Sequence, residues 1–454
     1  MTIFYRYRIK KSTKFDKYEI LVDKDYKKRY DINRNTIRKQ SNSVQGEKSM
    51  KWKKTFYTYF FSQAFTLLGG AMAQFAIIWW LTQETGSGSV LAMAAFAGLL
   101  PQAVVGPMAG ILVDRYNRKV IIIAADILRA TAGGILCIAF IMNWNSLGLI
   151  FVMLGIRSIG AAFHMSAKQA IIPLLVPEEE LLRVSGFKQI LNSASSIAGP
   201  ILGIAAFNLL GIEWVLILDI LGSAIAILAL LIIGIPKVRS NTTASGKSSM
   251  RIEFKEGIEE IRRHSGLLTL VVFSTLLNLV MTPIFTLFPL VTQNQFLGGS
   301  WHASFVQGAL GVGMLLGGAL LGTVLAKAKK KPLLYSSVFL FGISVVMIGL
   351  LNPNGFYIFV ALSGVIGVMG SLLNGTFIAH VQRIIAPEVM GRVMSLLFTL
   401  AIVATPVGLL IVGPLTDVIG LMPIFIGAGV TLLGAGAVIF ILLRGVDLEV
   451  QTAM

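Results

Sequence analysis

Apolar residues run along this chain in long stretches, broken by short polar segments, from about residue 55 to residue 443. A helix needs about 20 predominantly apolar residues to cross the hydrocarbon core of a bilayer, and many of these stretches reach that length. In order they predict twelve membrane-spanning helices: 55–82, 88–113, 120–142, 147–168, 185–210 and 213–235, then 266–291, 301–326, 333–351, 355–380, 392–413 and 418–443. The first is too long, and too poor in a small-residue cleavage site, for a secretory signal. Hydrophilic residues gather in three places. Residues 1–50 form a basic N-terminal extension without apolar periodicity, a composition that predicts disorder, and Met50 at its end offers an alternative start. Residues 236–265 form a central loop that divides the spans six and six. Within it, "MRIEFKEGIEEIRR" spaces Ile252, Phe254, Ile258 and Ile261 as a helix lying along a membrane surface would. Residues 445–454 are a short tail, leaving six-helix bundles at 51–235 and 266–444.

Composition excludes the soluble alternative. The 454 residues are 55% hydrophobic and only 13% charged, against about 45–50% and about 25% in soluble domains. Such a chain in water would have to bury nearly every residue. The single cysteine, Cys137, lies inside the third span, so there is neither a disulfide framework nor a thiolate metal site. No spacing of His, Asp and Glu suggests another metal site, and His164 and His380, near helix ends, read as structural.

The net charge of +17 acquires meaning from its placement. With a cytoplasmic N-terminus, the inner loops hold Arg115, Arg118, Lys119, Arg183, the cations from Lys237 to Arg263, Lys327 to Lys331, Arg383 and Arg392, while the outer loops hold no lysine or arginine. That asymmetry places both termini in the cytoplasm. Cations scattered over short loops do not form a nucleic-acid surface. The partners expected are the lipid bilayer and a small substrate, with no nucleic acid.

The two halves repeat. "GILVDRYNRKVII" aligns with "GTVLAKAKKKPLL", "VPEEELLRV" with "APEVMGRV", and Pro200 with Pro406, at offsets falling from 212 to 206. Duplicated bundles related by an axis along the membrane normal place a binding site between them, near the midplane. Within the first repeat, Gly110, Asp114, Arg115, Arg118 and Lys119 follow the pattern Gly-x-x-x-Asp-Arg-x-Gly-Arg-basic, with Asn117 in place of its second glycine. In span five, "GFKQILNSASSIAGPILG" places Gly186, Gly199, Pro200 and Gly203 as in an antiporter signature, with Ser195 and Ile204 departing from glycine.

On these motifs the chain after Met50 resembles the major facilitator superfamily. The phrases "IRSIGAAFH", "PLLVPEEELLRVSGF", "IIIAADILRA" and "LDILGSAIA" make it similar to the macrolide-efflux type of drug:proton antiporter within it. The resemblance implies an all-α membrane protein of twelve transmembrane helices, arranged as two pseudo-symmetric six-helix bundles. It implies a monomer in a bacterial plasma membrane, moving an amphipathic substrate outward by alternating access, with a proton gradient for energy and no cofactor. It also implies that Asp114 and its neighbouring cations latch the halves together at the cytoplasmic end, where Asp114 would meet the N-terminal dipole of span eleven. A plain positive-inside signal accounts for the cations but not for Asp114. The cavity-lining spans one, four, seven and ten offer Gln63, Phe65, Gln74, Asn278, Phe285 and Asn374.

Ionisable residues at bilayer depth are costly and therefore functional candidates. Asp126 and Arg129 in span three, Arg157 in span four and Asp219 in span six qualify. Asp126 and Arg157, about 10 and about 15 Å from opposite ends of antiparallel neighbours, reach nearly one level, so Asp126 is expected to pair with Arg157 or with Arg129 at i+3. A carboxylate there gains a proton when desolvated and loses it beside an arginine, as proton antiport requires. Equally, such pairs can serve only to pin helices.

Other readings carry less. "NTTASGKSSM" contains Gly246-Lys247-Ser248, but Asn241 stands where a phosphate-binding loop needs glycine, and no nucleotide domain surrounds it. No nucleophile–base constellation indicates an enzyme. A proton-coupled importer of a small nutrient shares the fold, and a non-transporting sensor and an ATP-binding accessory partner stay open as alternatives.

Overall fold

Capping side chains and left-handed glycines cut the apolar stretches into separate helices. The computed structural model describes residues 9–10, 19–20, 24–177, 180–234, 259, 261–262, 267–325, 328, 330–385 and 387–442. Among the described residues twelve long helices follow one another: α1 (Lys24–Thr85), α2 (Gly88–Arg115), α3 (Arg118–Ile141), α4 (Leu147–Leu175), α5 (Leu181–Leu210), α6 (Ile212–Ile232), α7 (Leu267–Asn294), α8 (Ser300–Gly322), α9 (Lys330–Gly349), α10 (Phe356–Ile384), α11 (Pro387–Ile419) and α12 (Leu421–Leu442). Side-chain oxygens of Ser87, Asn117 and Ser146 accept from the backbone amides of Val90, Lys119 and Leu149, satisfying donors that the starts of α2, α3 and α4 leave free. Gly211 (φ 94°) separates α5 from α6, and Gly420 (φ 86°) separates α11 from α12. These one-residue reversals need the left-handed backbone that glycine adopts without strain. They also fall at equivalent places in the two repeats.

Eleven helices are long and apolar enough to cross a membrane among the described residues, and α11 adds the apolar segment Val403–Ile419. Their outward faces carry exposed Ile138, Leu228, Ile232 and Ile441, side chains that suit lipid rather than water. Several helices run past the spans read from hydropathy: α4 continues to Leu175, α5 begins at Leu181, and α11 covers Pro387–Ile419. Hydropathy marks where the hydrocarbon ends, whereas backbone hydrogen bonding carries a helix on into the polar zone.

The chain divides into compact units at Tyr57. Met1–Tyr57 contains a two-residue antiparallel ladder, Ile9–Lys10 with Glu19–Ile20, and the hydrophilic start of α1. Where composition suggests a disordered extension, helix is present from Lys24, in a stretch with no Gly or Pro before Gly46. Of the central loop, Glu259, Ile261 and Arg262 are described, and Ile261 is buried with Leu267, Val271, Val381 and Val393. Ile252, Phe254, Ile258 and the tail 445–454 lie outside the described residues.

In Thr58–Met454 the two halves use the same pairings: α2 with α4 and α3 with α6 in one, α8 with α10 and α9 with α12 in the other. Small residues permit the close crossings. A Cβ on Gly313 would collide with the Gly364 carbonyl, and one on Gly317 with that of Val368, so α8 and α10 meet backbone to backbone. The halves join along two seams, α2 with α11 and α5 with α8.

Candidate transport site

A cavity of about 570 Å³ lies between the halves, lined from α1, α2, α3, α4, α5, α7 and α8. Apolar surface comes from Phe75, Ile78, Leu99, Leu154, Phe285 and Pro289; polar groups come from Gln74, Gln102, Ser158, Ser196, Thr282, Thr286 and Gln307. Arg129 and Arg157 also reach its wall. Small-molecule sites typically measure about 300–1,000 Å³ and combine apolar lining with a few polar anchors. This one fits that description.

Of the cavity residues expected from sequence, Gln74 and Phe285 line it. The others do not. Phe65 is 53% exposed, Asn374 is exposed, and Asn278 donates to the Ser274 carbonyl of its own helix at 2.8 Å. Gln63 is buried elsewhere, and neither of its amide atoms has a hydrogen-bond partner among the described residues. Choosing helices by number cannot tell which of their faces turns inward.

Behind the two arginines stands a buried ladder of charges. Arg157 Nη1 lies 2.7 Å from Asp219 Oδ2. Asp126 Oδ1 lies 2.7 Å from His164 Nδ1 and 3.7 Å from Arg129 Nη1. Asp126 is fully buried, and Arg157, His164, Lys168 and Asp219 are all less than 9% exposed. At 1.5 Å per residue, the seven residues of α4 from Arg157 to His164 cover about 10 Å of depth. Glycines make the room. A Cβ on Gly133 would stand 3.0 Å from Arg157 Nη1, and one on Gly70 would stand 3.0 Å from Arg129 Nη2 and 3.8 Å from Asp219 Oδ1. On Gly160, a Cβ would press to 2.6 Å of Arg129 Cγ.

Of the two pairings open to Asp126, the structure has one. Asp126 takes Arg129 as its arginine, but Arg157 pairs with Asp219 on α6 instead. The partner bonded most closely to Asp126 is His164, read from sequence as merely structural. A signal was present: Arg157, His164 and Lys168 fall seven and four residues apart, one stripe along α4.

In the loop 2–3 motif, two of the cations bond the carbonyls of neighbouring helices. Arg118 Nη1 donates to the Ala170 carbonyl of α4 at 2.9 Å, and Lys119 Nζ donates to the carbonyls of Leu231 and Ile233 at the end of α6. Lys119 satisfies carbonyls at the C-terminus of α6, where its charge favours the negative dipole end, and Arg118 bonds α4 near its C-terminus. Arg115 is exposed, and a Cβ on Gly110 would meet nothing within 4 Å. The Asp114 side chain lies outside the described ones.

In α5, Gly199 and Gly203 bring the helix onto α1: a Cβ at either would strike Ala71 or Met72, at 2.5 and 2.8 Å. Gly186 lies in the first turns of that helix. The Pro200 carbonyl accepts from Ser304 Oγ of α8 at 3.3 Å, across the seam.

A two-bundle fold with paired seams, a central cavity and buried charges behind it matches one known class. The sequence profile of the Major Facilitator Superfamily matches residues 59–400. The chain belongs to the major facilitator superfamily. It is 38% identical over 383 residues to macrolide efflux protein A of Streptococcus pyogenes, covering 84% of this chain and 94% of that protein. It is 39% identical over 324 residues to macrolide efflux protein A of Enterococcus faecalis, covering 71% of this chain and all of that protein. Multidrug efflux pump Tap of Mycobacterium tuberculosis is 26% identical over 409 residues, 86% of this chain and 94% of that one. A solved bacterial homologue of the lysosomal transporter Spinster shares the fold, with a TM-score of 0.67 at 15% identity over 88% of this chain and 99% of that one. The nucleoside transporter NupG does so with a TM-score of 0.66 at 11% identity, covering 86% of this chain and 99% of that one.

Proposed function

We propose that this superfamily member exports amphipathic, macrolide-like compounds from a bacterial cell by proton-coupled antiport. The observation that carries the reading is the 38–39% identity to macrolide efflux proteins. The cavity of about 570 Å³, apolar but studded with glutamine, serine and threonine, supports a bulky cargo bearing hydrogen-bonding groups. Connections rich in lysine and arginine face the cytoplasm, and the cation-poor ends of the helices face outward.

Asp126 is the proposed proton carrier, with His164 and Arg129 on one of its oxygens and no partner on Oδ2 among the described residues. A proton entering from outside adds to this carboxylate. As the halves rock and the cavity opens inward, the proton leaves to the cytoplasm before cargo binds. Arg157 and Asp219 hold the next rung of the ladder, joining cavity wall to buried charge. Asp114 is proposed to act at the cytoplasmic end of the α2–α11 seam, in the state where that end closes.

Expression in an exporter-deficient bacterium, challenged with macrolides, tetracyclines and dyes with and without protonophore, tests the reading. Lower accumulation and higher resistance, abolished by protonophore, are expected. Asp126→Asn should leave residual transport that no longer responds to protonophore. Unchanged accumulation of every compound, or uptake of a small nutrient driven by the same gradient, would refute export.

A further inference from the structure

Asp417 enters into none of the chemistry above. Hydropathy places it in the break between the last two spans, but the structure puts it in the last turn of α11, because the helix runs on to Ile419. There its carboxylate meets the start of α2 in the other half. Oδ1 accepts from the Gly88 amide at 2.7 Å; Oδ2 accepts from the Ser89 amide at 3.0 Å and from Ser87 Oγ at 2.9 Å. Ser87 Oγ also accepts from the Val90 amide, so one cluster both caps α2 and binds α11. Glycine is what allows the approach: a Cβ on Gly88 would stand 2.9 Å from Thr416 Cβ, and one on Gly413 would press into Ala92.

The second seam repeats the arrangement without charge. At the end of α5, Asn208 Nδ2 donates to Ser300 Oγ at the start of α8 at 2.7 Å, and Ser300 Oγ lies 2.9 Å from Asn208 Oδ1. Ser87 and Ser300 open equivalent helices, as Asp417 and Asn208 close equivalent ones, at offsets of 213 and 209. Both contacts lie at the cation-poor end, and both join one half to the other. The carboxylate is the stronger fastener, since a full negative charge accepting amide hydrogens at a positive helix end forms charge-assisted bonds. It remains exposed to solvent, as suits a contact that must break on every cycle.

We infer that Asp417 and Asn208 are the paired fasteners of an external gate, Asp417 the dominant one, holding the cavity shut from outside until the halves rock apart. The inference rests on the alternating-access reading and on the orientation proposed above, but not on which compound is carried. A test therefore needs no cargo. In a Cys137→Ser background, Ser196→Cys places one thiol on the cavity wall. Intact cells receive a membrane-impermeant maleimide, and labelling is normalised to the same protein after permeabilisation, so that poorly inserting variants are scored on the fraction inserted. The parent should label slowly from outside. Asp417→Asn should label about five-fold faster, Asn208→Leu about two-fold faster and the double variant faster than either. Asp417→Glu should restore part of the protection, which a general loosening of the fold would not do. Equal protection in the parent, Asp417→Asn and Asp417→Ala would overturn the gate assignment. Rapid external labelling of the parent itself would instead overturn the closed exterior, and with it the alternating-access orientation.

Discussion

The two halves share helix order and pairing yet are held together by different means. Inside the N-terminal half, Asp126–His164 joins α3 to α4 and Arg157–Asp219 joins α4 to α6, with Asp126–Arg129 paired along α3. The C-terminal half packs aromatic rings instead: Phe288 stands 5.3 Å from Phe359 edge to face and 6.2 Å from Phe425 in a stacked pair, and Phe285 stands 6.1 Å from Phe341. Among the described residues, the ion pairs within the bundles all belong to the first half. On the proposed reading, a duplicated scaffold needs its coupling chemistry only once. The other half can spend its interior on rings, which give rigid area and favourable edge geometry without any cost of burying charge. The cavity takes from both, arginines from one side and Phe285 from the other.

That contrast can be broken most severely at Asp219. Asp219→Ala leaves Arg157 unpaired, and losing one partner of a buried pair costs about 3–5 kcal/mol; transport should vanish and the melting temperature of purified protein should fall. Adding Arg157→Gln to Asp219→Asn should recover the melting temperature but not transport. An Asp219→Ala protein with normal drug accumulation would show the pair to be dispensable.

Gly133→Val comes next. Its side chain would intrude on the Arg157–Asp219 pair, an overpacking strain of about 1–3 kcal/mol. Drug efflux should weaken more than thermal stability does, and unimpaired efflux would show that the guanidinium has room to move.

In the aromatic half, Phe288→Leu should cost about 1 kcal/mol. The melting temperature drops slightly, while the protonophore sensitivity of efflux stays as in the parent. Altered sensitivity would place coupling in both halves. The smallest effect is expected from beginning the chain at Met50: resistance conferred by the shortened protein should equal that of the full one, and its loss would give the extension a role.

The limits of hydropathy show most clearly where a functional residue depends on a partner far away in sequence. Asp126 and Arg129 were legible as a pair because i and i+3 share a helix face. Asp219 was legible as a buried charge, but its partner Arg157 was not, since 62 positions separate them and only helix rotation brings them together. Arg118 and Lys119 were legible as inner-loop cations; that they close the ends of α4 and α6 depended on how those helices pack. Asp417 looked like a loop residue because one acidic side chain interrupts an apolar run, although backbone hydrogen bonds carry α11 past it.

Sequence alone determined the number of spans, their duplication and the gathering of the loop cations at one end of the helices. Each follows from the free energy of moving a stretch of residues from water to hydrocarbon, which adds up locally along the chain. Tertiary structure alone decided that His164 bonds Asp126, that Gln74 rather than Gln63 faces the cavity, and that Asp417 fastens α11 to α2. Those facts depend on the rotation and meeting of helices, where glycines set distances of a few ångströms between residues that no local pattern connects.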